Sequence, residues 1–407
     1  MRRTSLLTLL ASGLAVSLTA QSLQMGTNVG SPNSADLGLA VVRTDIDLVH
    51  PADATGLVDT AQFSWSSFPC PAEVKIKFFR RHGSTVVYLA ERGPFDVTSG
   101  DMTVALTPPV AVEQGDLVGI TRLADCGNAG AITGIVNPGY LAYSGDVTSD
   151  VGFAAGQNGG AVLDLSATGA ATESIEAVLP VAGSTPGNFG SFFRTSLQIS
   201  NPGFADTSGR LVFHPAGVSG SSADPSLPFT IAVHTTISYD DIVQTMGQSG
   251  LGTIDVVLPS GAAAPLTVAR VFDDGGSEGT KGFTEEAVPL TGDKQVMFAG
   301  ATGFMLGPPD LTRFRYNIGI RTLLAGAFLT FRVRDAGGNI VRTVDLSYDP
   351  TFFTQQPADT LLGGPLPENA LIEVSCSSGG AVIYGATVDN TTNDPSIQFV
   401  KVFFAIA

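Results

Sequence analysis

The segment Phe193-Arg194-Thr195-Ser196-Leu197-Gln198-Ile199 returns as Phe314-Arg315-Tyr316-Asn317-Ile318-Gly319-Ile320, and Ser238-Tyr239-Asp240 returns as Ser347-Tyr348-Asp349. A chain that repeats its own pattern folds the same supersecondary unit more than once. Within the first copy Thr195, Leu197 and Ile199 alternate with Ser196, Gln198 and Ser200, and the apolar sets Leu211/Phe213 and Ile254/Val256/Leu258 follow. Period two is the mark of strands with one buried face. The second copy keeps the order through 329–333, 371–376 and 381–388, and each copy is about 100 residues or slightly more.

The same alternation fills the chain upstream. Val74, Ile76 and Phe78 alternate with Lys75 and Lys77, which puts both lysines in water. His82-Gly83-Ser84 reads as a hairpin connection, and 110–120 as two strands meeting at a Gln114-Gly115-Asp116 turn. Residues 21–60 read as irregular and polar, with the acidic stretch Thr44-Asp45-Ile46-Asp47-Leu48 before Pro51. Around 158–172 the chain turns rich in Gly, Ala, Ser and Thr, which places a boundary near Ala170. The expectation is an all-β chain of three consecutive antiparallel β-sandwich domains at 21–170, 171–294 and 295–407. Helix is confined to a turn at 240–247, with Asp240 capping its start and Gly247 ending it.

Charged residues are only 14% of the chain, against about 25% in an ordinary domain, and the 48 glycines favour turns and strands over long helices. Arg2 and Arg3 precede an uncharged apolar run over 6–18 and then Thr19-Ala20, the pattern of a secretory signal over residues 1–20. That run is too short to span a bilayer, so the protein is expected to be secreted or periplasmic, without membrane insertion. The formal charge of −16 becomes two units more negative when the leader's arginines are lost. Such a surface repels phosphate backbones, which excludes nucleic acid as a partner class.

Of three cysteines, Cys70 and Cys126 fall in the first expected domain, where an exported protein oxidises them. They are expected to form a disulfide, which stabilises by roughly 4 kcal/mol. Cys376 shares a strand face with Ile372 and Val374 and reads as a buried, inert thiol.

Two further sets of residues carry a resemblance. Phe192-Phe193-Arg194-Thr195-Ser196-Leu197 with Asn201-Pro202-Gly203, the segment Val212-Phe213-His214-Pro215-Ala216-Gly217, and Val388-Asp389-Asn390-Thr391-Thr392-Asn393-Asp394 resemble paired immunoglobulin-like modules of secreted bacterial proteins. The stretches Val104-Ala105-Leu106 and 112–120 are similar to jelly-roll-like modules of bacterial surface proteins. The resemblance implies a jelly-roll-like module followed by two immunoglobulin-like ones, and it carries no activity and no catalytic residues.

Chemistry is harder to find. The histidines His50, His82, His214 and His234 stand far apart and read as surface residues; no zinc site can be written from them. The loop Gly275-Gly276-Ser277-Glu278-Gly279-Thr280-Lys281-Gly282 looks phosphate-like but lacks the G-K-[ST] ending. Paired acids such as Asp240-Asp241 and Glu285-Glu286 sit next to each other on strands, where neighbours point to opposite faces, so they do not form a glycosidase pair. Asp273 and Asp274, and then Asp389, Asn390, Asn393 and Asp394, are weak calcium candidates, because clustered Asp and Asn offer the oxygens that ion needs. Tyr140 and Tyr143, in a Gly-rich stretch, are exposed candidates for stacking on a sugar ring, whereas Phe63 and Trp65 share a face and read as core. No catalysis and no cofactor are expected. The reading is a surface, matrix or partner-binding protein whose partner is a protein or glycan at the cell surface; the alternatives are a carbohydrate-binding module protein and a secreted polysaccharide hydrolase with a loop-built site.

Overall fold

The computed structural model describes residues 22–27, 34–35, 41–66, 68–133, 139–276, 279–290 and 294–403. The expected leader at 1–20 lies outside the described residues. The chain is all-β, built from antiparallel sheets around three separate hydrophobic cores; each core with its strands is called a unit below.

In the first unit, strand Thr55–Ser66 pairs with Gly100–Val112 on one side and with Leu165–Pro186 on the other. Facing it is a seven-stranded sheet with Cys70–His82, Leu117–Arg122 and Arg43–Asp47 at its centre. Val74, Ile76 and Phe78 point between the sheets with Phe63 and Trp65, as their alternation requires. The segment expected to be irregular instead supplies strands at Ser22–Thr27 and Arg43–Asp47. Asp45 and Asp47 are buried there; Asp45 is paired with Arg43, while Asp47 accepts the Val49 and His50 amides on Oδ1 only. The lysines are a second correction. Lys77 is 0% exposed, with Nζ 2.6 Å from Asp146 and donating to Glu91, and Lys75 shares the same two acids at 2.8 Å. The outer face of this sheet is covered by its own loops, so the alternation predicts the face correctly and the solvent wrongly. The Cys70–Cys126 disulfide is formed and closes a 56-residue separation.

Strand Leu165–Pro186 is 22 residues long, and the expected boundary at 170/171 falls inside it. Its first part pairs with Thr55–Ser66 and Ser22–Thr27, and its second part with Gly250–Pro259 of the second unit. The Gly/Ala/Ser/Thr-rich stretch is therefore a shared strand rather than a linker. Small residues suit it, since a Cβ at Gly169 would lie 1.9 Å from the Leu57 carbonyl oxygen across the ladder.

The second and third units repeat one another in register. Phe193 pairs with Asp273 in one copy and Phe314 with Asp389 in the other; Phe213 pairs with Ile254, and Phe331 with Val374. Each unit contains one four-residue helix, α1 at Ile242–Thr245 and α2 at Ala358–Leu361. The cap of α1 is Asp241, whose carboxylate accepts from the Gln244 amide at 3.0 Å, and not the expected Asp240. One repeat assignment is also corrected. Tyr239 lies on Thr236–Tyr239 opposite Leu197, but the position opposite Ile318 is Gln356, and Tyr348 ends a different strand, Ile340–Tyr348. The recurrence of Ser-Tyr-Asp is thus a coincidence of letters.

The units pack on one another. Val181, Val271 and Phe283 of the second meet Phe353, Tyr384 and Phe399 of the third in a joint apolar cluster.

Candidate functional site

The outward faces of the sheets carry what the cores do not. On Thr207–Pro215, Leu211 and Phe213 point into the second core, which leaves His214 on the opposite face; Asp255 and Arg321 are outward in the same way. The third unit covers that face. His214 Nδ1 lies 2.7 Å from Asp224 and Nε2 lies 2.9 Å from Asp255, and Arg321 reaches across to both Asp255 oxygens at 2.9 and 3.0 Å. Arg321 also donates to Thr253 Oγ1 at 3.1 Å. Burial pushes the Asp255 carboxyl up, but Arg321 and His214 outweigh it and hold the group at about 2. Burial lowers His214, yet the two carboxylates win and raise it. With each ring nitrogen on a carboxylate of its own unit, His214 holds Asp255 in place while Arg321 makes the tie across the junction, and the ring has no nitrogen left to act as a base. Its burial corrects the surface reading of this histidine.

Between the first and third units, beside this junction, is a cleft of about 590 Å³. Leu48, Leu117 and Phe153 form its first-unit wall, and Leu324, Phe328 and Tyr348 its third-unit wall. The third-unit wall exists because the strand Phe314–Arg334 slips register between Thr322 and Ala327, pushing 323–326 out of the ladder. Gly379 sits under that bulge at φ +68°, where a Cβ would be 1.9 Å from the Gly326 carbonyl oxygen, so glycine is required. Arg81 closes one side, paired with Asp349 and 3.9 Å above the Phe153 ring. Burial pushes the Tyr348 hydroxyl up to about 12, so it stays protonated. A volume of several hundred Å³ with mostly apolar walls and a few polar groups is the form small-molecule sites take.

One triad-like cluster lies nearby. Burial lifts the fully buried Asp47 to about 7, with the His50 and Val49 amides countering it in part. The Thr27 hydroxyl meets His50 Nδ1, and Asp47 lies 3.9 Å from that same nitrogen. A relay needs nucleophile and acid on opposite ring nitrogens, so this cluster does not activate Thr27.

The sequence-expected residues fare unevenly. Tyr140 and Tyr143 are 9% and 6% exposed, not open to a sugar. Their rings lie on Gly159 and Gly156, where no Cβ would fit, and Tyr143 donates to the Gly152 carbonyl at 3.2 Å. Asp389 has Oδ1 accepting from the Thr391 and Thr392 amides at 2.8 and 2.9 Å, which hold the carboxyl down at about 2, and Arg313 lies on Oδ2 at 3.2 Å. Arg315 binds Asn390 and Asn393, and the charges of Asp273 and Asp389 both act on it. Asp273 accepts from the Phe192 amide at 2.8 Å, and Asp274 pairs with Arg194 at 3.1 Å. The two loops are brought together, with arginines already supplying the positive charge; Asp394 contributes its backbone to the turn. Cys376 is buried in the third core, and burial raises its thiol to about 11. The run Gly275-Gly276-Ser277-Glu278-Gly279 has the spelling of a nucleophile elbow but joins two strands of a hairpin, whereas that motif needs a strand-to-helix turn; Ser277 and Glu278 lie outside the described residues. Glu285 is buried and Glu286 exposed, on opposite faces as expected.

The cleft was not legible in the sequence, because its walls come from positions as far apart as Leu48 and Gly380. No protein-family model, curated protein or solved structure matches this chain. Among the described residues, no helix is long and apolar enough to cross a membrane.

Proposed function

We propose that this is an exported, non-catalytic β-sandwich protein that binds a partner molecule through the cleft between its first and third units. The cleft carries the reading. Its two walls are each fixed to the second unit, the first by a shared strand and the third by the buried Arg321–Asp255 pair, and Arg81–Asp349 joins them directly, so the cleft is pre-formed, and pre-formed sites bind without an ordering cost. Export is supported by the Cys70–Cys126 disulfide, since such bonds persist in oxidising compartments. The immunoglobulin-like part of the reading is supported by strand pairing. In both repeats the second strand pairs with the fifth and the third with the sixth, as in an immunoglobulin sandwich, while the first and seventh exchange neighbours. A glycan and small-molecule library screened by affinity selection against the wild type and a cleft-blocked Leu324→Arg variant tests the proposal. Ligands retained by the wild type and lost by the variant are the expected result; glycan turnover, seen as new reducing ends, would overturn it.

A further inference from the structure

The charges around the cleft identify its ligand more closely, on the premise that the cleft is the binding site. Among the described residues three charged side chains line it: Arg81, Asp53 and Glu176. The single cation is already spent, because Arg81 is paired with Asp349 and stacked on Phe153. The acids are not. Asp53 accepts only backbone amides, its own and that of Gln24, the latter at 2.8 Å on Oδ1, and Glu176 accepts the Ser174 hydroxyl on Oε1. Among the described residues no basic side chain is paired with either carboxylate, and no cation contributes to the Asp53 shift. Burial raises Asp53, the response of a carboxylate short of a positive partner. Opposite them the third-unit wall is apolar and partly open, with Phe298 and Phe328 at 40% and 37% exposed. The chain's formal charge of −16 adds a long-range pull on cations.

We propose that the cleft takes a small cationic amphiphile, its apolar body lying against Leu324, Phe328 and Phe153 and its protonated amine held by Asp53 and Glu176. An anionic head of the same length meets two carboxylates and no free cation, and is rejected. Three probes of one chain length separate head from body: decylammonium, decanoate and decanol, each titrated below its micellar concentration into the full chain by calorimetry. Decylammonium binds at least about tenfold more tightly than decanol, a gap of about 1.4 kcal/mol, and decanoate binds weakest. Asp53→Asn with Glu176→Gln brings decylammonium to the level of decanol, while Leu324→Arg or Phe328→Ser weakens both probes. Decanoate binding as tightly as decylammonium, or an amine preference indifferent to Asp53→Asn/Glu176→Gln, overturns the ligand class. If decylammonium and decanol then bind equally and both are weakened by Leu324→Arg, the cleft itself stands as a binding site; if no probe binds, or if Leu324→Arg and Phe328→Ser both leave binding unchanged in folded protein, the cleft falls with it.

Discussion

Glu285 provides the sharpest energetic test of how the second and third units meet. It lies on Thr280–Glu286, buried, with no side-chain partner for either carboxyl oxygen and the Val181 amide too poorly placed for a full hydrogen bond. Burial raises it well above the ordinary value of 4.5, with the Val181 backbone only partly opposing, and the facing group is Tyr384, whose hydroxyl donates to Gln355. A carboxyl raised in the folded state keeps its proton there while the unfolded chain has lost it. Its contribution is therefore complete below 4.5 and declines as pH rises, by about 1.4 kcal/mol per pH unit, until the folded value is passed. Glu285→Gln keeps the shape and removes the titration. Urea unfolding at steps upward from about pH 5 gives wild-type stability falling relative to the variant, with that slope until the folded value is passed. Asp47 and His214 also titrate, but they are present in both proteins and cancel in the difference. Parallel curves would refute the reasoning, because they would mean that Glu285 is hydrated or paired in solution.

Other perturbations follow from the same geometry. Arg321→Met leaves the buried Asp255 with His214 as its one charged partner and costs about 3 kcal/mol in chemical denaturation, the lower end of what removing one partner of a buried pair costs; a loss below about 1 kcal/mol would mean the junction is wet. Cys70→Ser with Cys126→Ser releases a 56-residue loop and costs roughly 4 kcal/mol, seen as a lower melting temperature that reductant does not lower further. Calcium leaves the melting temperature where chelator does, because amides and arginines already satisfy Asp389 and its neighbours; a rise would restore the calcium reading.

The sequence makes legible whatever lies within one sheet. Val74, Ile76 and Phe78 sit inside because period two sets one face inward, and Phe193 and Phe314 take equivalent partners because the repeat preserves register. It does not reveal what covers the other face. Lys77, His214, Asp255 and Arg321 are all on outward positions of their strands by pattern, and each is buried by a loop or another unit that no local spacing announces. Tyr140 and Tyr143 fail for a related reason. Gly-rich sequence signals loop, yet Gly156 and Gly159 are where the two rings need backbone without a Cβ. The cleft depends on contacts between distant units, so its residues carry no sequence signature at all.

The central claim is that the first and third units together hold the ligand. Amide hydrogen exchange on the full chain, with and without a ligand retained in the affinity screen, locates the contact. Protection on both walls, at 48–53 and Phe153 of the first unit and at 322–328, 347–350 and 379–380 of the third, is the predicted outcome. Protection centred on Tyr140–Ser144 or on the 389–394 loop, with the bulge unchanged, would contradict it.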